Sequence, residues 1–106
     1  MAEKNDVKLI NECLKGNGES LGVLVKRYLK PIYGFVLRNV RSERDAEDLT
    51  QEIFVKAWRN LKQFDQKRNF QAWVFGIAKN TCIDFFRKEK ALPFSEFETK
   101  EGKNII

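Results

Sequence analysis

Up to about residue 90 the apolar side chains of this chain recur at steps of three and four, in segments separated by Gly, Asn, Ser and Pro. That period matches helices with one buried face and does not match the alternation of a strand. In "KNDVKLINECLK", residues 4 to 15, Val7, Ile10 and Leu14 share a stripe with Leu9 and Cys13 beside it. "GNG" at 16–18 stops this segment, because glycine readily takes the left-handed conformation of a helix C-cap. A second helix is predicted from near Glu19, carried by Leu21, Leu24, Val25, Tyr28 and Leu29. Pro31 lacks an amide hydrogen and crowds the preceding turn, so a kink or break is predicted before "IYGFVLRNV" resumes the period.

Ser42 is a good N-cap for a third helix, with Asp45 three residues on in a capping-box arrangement. Ala46, Leu49, Ile53, Ala57 and Leu61 form its predicted buried stripe. A polar loop, "KQFDQKRN", leads to a fourth helix capped by Asn69 and running to about Lys88. Its predicted core side is Phe70, Val74, Ile77, Ala78, Thr81 and Phe85. The fold class is all-α, a compact bundle of about four to five helices in one domain over residues 1–92. From Pro93 no period is sustained, and 93–106 reads as a flexible tail or linker.

Charge narrows the partners. Residues 1–53 hold nine Lys/Arg and nine Asp/Glu, whereas residues 54–90 hold nine Lys/Arg against Asp65, Asp84 and Glu89. A positive second half suits a polyanion, although the same surplus also serves a solvated surface. There is no histidine, and Cys13 and Cys82 stand far apart, so no zinc site is expected and both thiols should be reduced and buried. No glycine-rich phosphate loop or nucleophile elbow is present. Neither catalysis, cofactor nor metal is expected. With no apolar run of bilayer-spanning length and no signal-peptide pattern, no membrane insertion is expected, and the expected location is cytoplasmic.

Two helical faces depart from plain burial. On the third helix, four carboxylates fall within residues 45–52. The helix dipole accounts for those of the first turns, but not for Gln51, Glu52 and Trp58 further on. Asp48, Gln51, Glu52, Val55 and Arg59 lie off the buried stripe, and Phe54 and Trp58 form an apolar pair flanking it. Carboxylates bordered by aromatics fit a protein-binding surface. On the fourth helix, Trp73, Gly76, Asn80, Asp84 and Arg87 form a stripe flanking or opposite the core side. Lys67 and Arg68 precede it, and Lys79 and Lys88 sit nearby. Cations interleaved with rings suit a single nucleic acid strand, since the cations follow phosphates and the rings stack on unpaired bases. A core tryptophan beside surface polar residues is the plainer alternative.

At these residues the chain resembles a known family. "DAEDLTQEIFVKAWRNLKQF" followed by "FQAWVFGIAKNTCIDFFRK" is similar to the region 2 domain of bacterial sigma factors, most closely the extracytoplasmic-function group, over residues about 5 to 90. The resemblance implies a helical domain that binds the beta-prime clamp helices of RNA polymerase. By position it assigns Asp48, Gln51, Glu52, Phe54 and Trp58 to that contact, with Val55 beside them. It further implies capture of the non-template strand of the promoter −10 element, with one base flipped into a loop pocket. Gln63, Phe64, Asp65, Lys67, Arg68 and Asn69 would form that pocket above Trp73. Asn80, Asp84, Arg87 and Lys88, with Lys79 nearby, would follow the upstream part of the element. An anti-sigma factor is a usual partner of the group.

The match has departures. Gly76 stands where the family often carries a larger, frequently basic residue, so one strand contact is in doubt. The loop is the family's most variable part, so its base preference does not transfer. The group's second DNA-binding domain, region 4, has no counterpart here, which makes 93–106 the expected start of a linker toward it and weak DNA and polymerase binding the expectation. A helix-turn-helix reader of duplex DNA is one alternative, but it calls for Arg, Asn or Gln at the start of the last helix, where "NFQAWVFG" is mostly apolar. A helical protein-interaction module is the other, and leaves the basic surplus unexplained.

Overall fold

The computed structural model describes residues 5–90, with side chains through Lys88. Four helices follow in order: α1 (Asp6–Leu14), α2 (Gly18–Val40), α3 (Glu43–Arg59) and α4 (Phe70–Lys90), with a single 3-10 turn at Leu61–Gln63 between the last two. The class is the all-α bundle predicted from periodicity. The expected linker, 93–106, lies outside the described residues.

Each helix starts on a side chain that accepts a backbone amide left without an intrahelical partner. Asn5 Oδ1 takes the amide of Lys8 at 2.9 Å, and Asn17 Oδ1 takes those of Glu19 and Ser20 at 2.9 and 3.2 Å. Ser42 Oγ takes Asp45 at 3.2 Å and Asn69 Oδ1 takes Ala72 at 3.0 Å, the two caps the sequence points to. Gly16 sits at φ +96° and ends α1 as predicted.

α2 does not break at Pro31; it runs unbroken for 23 residues. A proline inside a helix costs about 3 kcal/mol. Tyr28, Ile32 and Val36 bracket it and are buried, and burying one such side chain contributes roughly 1.5–3 kcal/mol. Burial on both sides therefore outweighs the lost hydrogen bond, while the proline ring itself faces solvent.

α2 packs against α1 on one side and α3 on the other, and α4 closes the bundle against α3 and α2. The core joins Ile10, Leu24, Ile32, Val36, Ala46, Ile53, Ala57 and Ala78, all at 0% exposure. The predicted α3 stripe is buried throughout, with its last member Leu61 in the 3-10 turn. On α4, Phe70, Val74, Ala78 and Thr81 are buried as expected, while Ile77 and Phe85 pack half-buried against the core. Cys82 is sealed at 0% exposure, and burial pushes its thiol up to about 11. Cys13, expected to be buried, is only half-buried, and both thiols are free.

Candidate protein-binding and nucleic acid interfaces

The α3 surface presents Asp48, Gln51, Glu52 and Val55 to solvent, with Val55 at 44% exposure. Glu52 pairs with Lys56 at 3.0 Å, one turn along. Lys56 also donates to Thr81 Oγ1 of α4 at 3.1 Å, tying the acidic face to the helix behind it. Trp58 is half-buried, its ring 6.0 Å from that of Phe54. Phe54 itself belongs to the core at 7% exposure, which corrects the reading of it as a flanking surface residue. α3 packs against both α2 and α4, and Phe54 lies within the core cluster.

Beside this face runs a shallow groove of about 360 Å³ lined by Leu29, Lys30 and Tyr33 of α2 and by Glu47, Thr50 and Gln51 of α3. The α2 side is not apparent from the sequence, because Leu29 fits the three-and-four spacing of the predicted stripe. It is 44% exposed. The signal that would have separated it is the four-residue register Leu24, Tyr28, Ile32, Val36, from which Leu29 is displaced.

The segment joining α3 to α4 is built rather than slack. After the 3-10 turn, Asp65 nucleates a tight turn: its side chain accepts the Lys67 amide at 3.0 Å and its carbonyl the Arg68 amide at 2.8 Å. Asn69 then caps α4. This leaves Gln63, Lys67, Arg68 and Asn69 exposed around the turn. Phe64 does not join them. At 6% exposure it lies beneath the turn, 5.4 Å from Phe70 edge-to-face and 5.0 Å from Trp73. Its placement supports the loop from below, a correction to its expected place in the pocket wall. Trp73, also 5.6 Å from Phe70, is the outermost, half-buried ring of this stack.

Along α4 beyond Trp73, Asn80 and Lys88 are exposed and Lys79, Asp84 and Arg87 half-buried. Arg87 is bonded to Asp84 at 2.8 Å, which holds the guanidinium along the helix. Between Trp73 and Asn80, Gly76 leaves a notch: a Cβ there would meet nothing within 4 Å. A second hollow at the start of α4, lined by Asn69, Gln71, Ala72 and Phe75, adds Gln71 and Phe75, which the sequence reading did not single out. Phe75 was hidden by its core-like neighbours; it packs half-buried against the core, edge-to-face with Phe35 at 5.6 Å. On this stripe Asn80 is exposed and Trp73 and Arg87 are half-buried, on a helix that begins directly after the cationic turn.

A family model described as sigma-70 region 2 matches residues 24–92. The chain belongs to that family. Among curated relatives of this region 2 domain, the ECF RNA polymerase sigma factor SigW of Bacillus subtilis (strain 168) is 36% identical over 83 residues, covering 78% of this chain and 44% of the relative. The ECF RNA polymerase sigma-E factor of Escherichia coli (strain K12) is 32% identical over 101 residues, covering 94% and 52%. The chain therefore spans about half the length of the curated relatives it matches. An engineered region 2 of sigmaE, solved by NMR in complex with GTAAAA, aligns with TM-score 0.77 at 35% identity over 85% of this chain and 95% of that one. CnrH, solved in complex with the cytosolic domain of CnrY, aligns with TM-score 0.70 at 32% identity, covering 92% and 65%. The resemblance carried by the α3 and α4 motifs is borne out, the extracytoplasmic-function group included.

Proposed function

We propose that this region 2 domain docks on the beta-prime clamp helices of RNA polymerase through the outer face of α3. In the same reading it captures the unpaired non-template strand of a promoter −10 element with the 60–69 turn and the open side of α4. The observation that carries the second half is the half-buried Trp73 lying between a cationic turn and the Asn80–Arg87 stripe. A related region 2 solved with GTAAAA supports carrying this role over. Carboxylates on α3 suit a basic partner, giving orientation and fast encounter more than raw affinity.

Promoter opening on this reading involves no covalent step. Unstacking a base costs a few kcal/mol, and stacking on an aromatic side chain returns about 1–3 kcal/mol per base. Cations along the turn and α4 add phosphate contacts that only a displaced strand can meet together with the stacking. The domain thus favours the open state by binding it more tightly than the closed duplex. An anti-sigma factor is a further partner on this reading, and a related chain, CnrH, is solved in complex with the cytosolic domain of CnrY.

An NMR titration of the chain with single-stranded GTAAAA and its single-base variants, beside the same sequences as duplex, tests the reading. Tighter single-strand binding that depends on sequence is expected. Equal or tighter duplex binding at matched salt would point to a helix-turn-helix reader instead. In parallel, Glu52→Ala should weaken binding to a clamp-helix fragment and leave strand binding unchanged.

A further inference from the structure

The turn that meets the strand is held from an unexpected side. Gln66 at its tip donates from Nε2 to Asn11 Oδ1 of α1 at 2.9 Å, across 55 positions of sequence. α1 also packs on the 3-10 turn that opens the loop. A second link runs underneath. Asp6 of α1 pairs with Arg27 at 2.7 Å and accepts from the Tyr28 hydroxyl. The Tyr28 ring meets Phe70 edge-to-face at 5.4 Å, and Phe70 contacts both Phe64 and Trp73. The tip and the floor of the loop are each connected to α1, by a polar and an aromatic route.

We propose that α1 is the brace of the capture loop, with Asn11 acting through Gln66 as a positioning residue that sets how selectively the loop takes an unpaired base. This rests on the strand-capture reading above. The physical case is preorganisation. A turn that wanders must be ordered when the strand arrives, and that cost falls on every ligand. A turn already fixed presents its donors and acceptors at one spacing, so a mismatched base leaves them unpaired. Asn11 and Gln66 are both exposed and neither belongs to the core, so their pairing contributes little to folding and its effect is concentrated on the loop. α1 itself is secured independently by Leu9 and Ile10, at 1% and 0% exposure.

The test is a double-mutant cycle on the full chain: Asn11→Ala, Gln66→Ala and both, each titrated with single-stranded GTAAAA and its single-base variants. Alanine is the stronger helix former at position 11, so α1 stays folded and unchanged thermal unfolding verifies it. Asn11→Ala is expected to reduce discrimination between the best hexamer and its variants by roughly two- to tenfold, the range of one net hydrogen bond. On the Gln66→Ala background it is expected to do nothing further, and clamp-fragment binding should not move. Undiminished discrimination in Asn11→Ala overturns the brace, as does a loss that persists at full size on the Gln66→Ala background. Absence of discrimination in the wild-type chain overturns the strand-capture reading and the brace with it.

Discussion

Thr50 carries a hydroxyl oxygen that is buried and has no hydrogen-bond partner, in a residue 4% exposed. Its neighbours on the groove are Leu29, Lys30, Tyr33, Glu47 and Gln51, and none of them bonds it. An unmade hydrogen bond of this kind costs about 1–3 kcal/mol. Thr50→Val keeps the shape and removes the unmet group, and is expected to stabilise the domain by about 1 kcal/mol in urea unfolding. A loss of stability would mean the hydroxyl has a partner in solution. Residue identity alone could not have found Thr50, since threonine at a helical position reads as half-exposed. Phe54 and Phe64 show the same limit from the other side. Each lies in a motif that the family resemblance assigns to a contact, and each is buried in the core cluster, to which every helix contributes. Trp58 and Trp73, by contrast, were legible as special residues and remain partly open.

Among the elements, α3 was the most legible in period, with every residue of its predicted stripe buried, and α4 the least conventional in content. Asn69 caps it, four of its six predicted core positions are buried, and Gly76 interrupts its open side. Glycine inside a helix is worse than alanine by about 1 kcal/mol. With open space around its Cβ position, Gly76→Ala should raise unfolding free energy by about that amount. Gly76→Arg fills the notch with a basic side chain, and is expected to tighten strand binding and make it more salt-sensitive. Tighter binding by Gly76→Ala alone would show that helix rigidity, not charge, is limiting. α2 was the least legible element, because proline chemistry is local while the forces that carry the helix through Pro31 are not. The groove between α2 and α3 was invisible for a related reason: Leu29 satisfies a helical spacing without belonging to the buried register.

At the scale of the molecule, charge is sorted by surface. Residues 54–90 carry the excess of Lys/Arg, and Lys67, Arg68 and Lys88 are exposed along the turn and α4. If these neutralise about three phosphates, log affinity for a single strand should fall against log salt with a slope of about −2. A slope near zero would leave the basic surplus a solubility device. Clamp-fragment binding should also weaken with salt, but Glu52→Ala should reduce only that dependence. The sequence by itself determined the class, the caps of the last two helices, the end of the first, most of the core and the family, because caps, periods and motif spacings act over a few residues. Only the tertiary structure decided which aromatics face out, that α2 continues through its proline, and that α1 reaches the loop through Asn11 and Gln66. Those outcomes depend on groups far apart along the chain, and burial, not local preference, sets them.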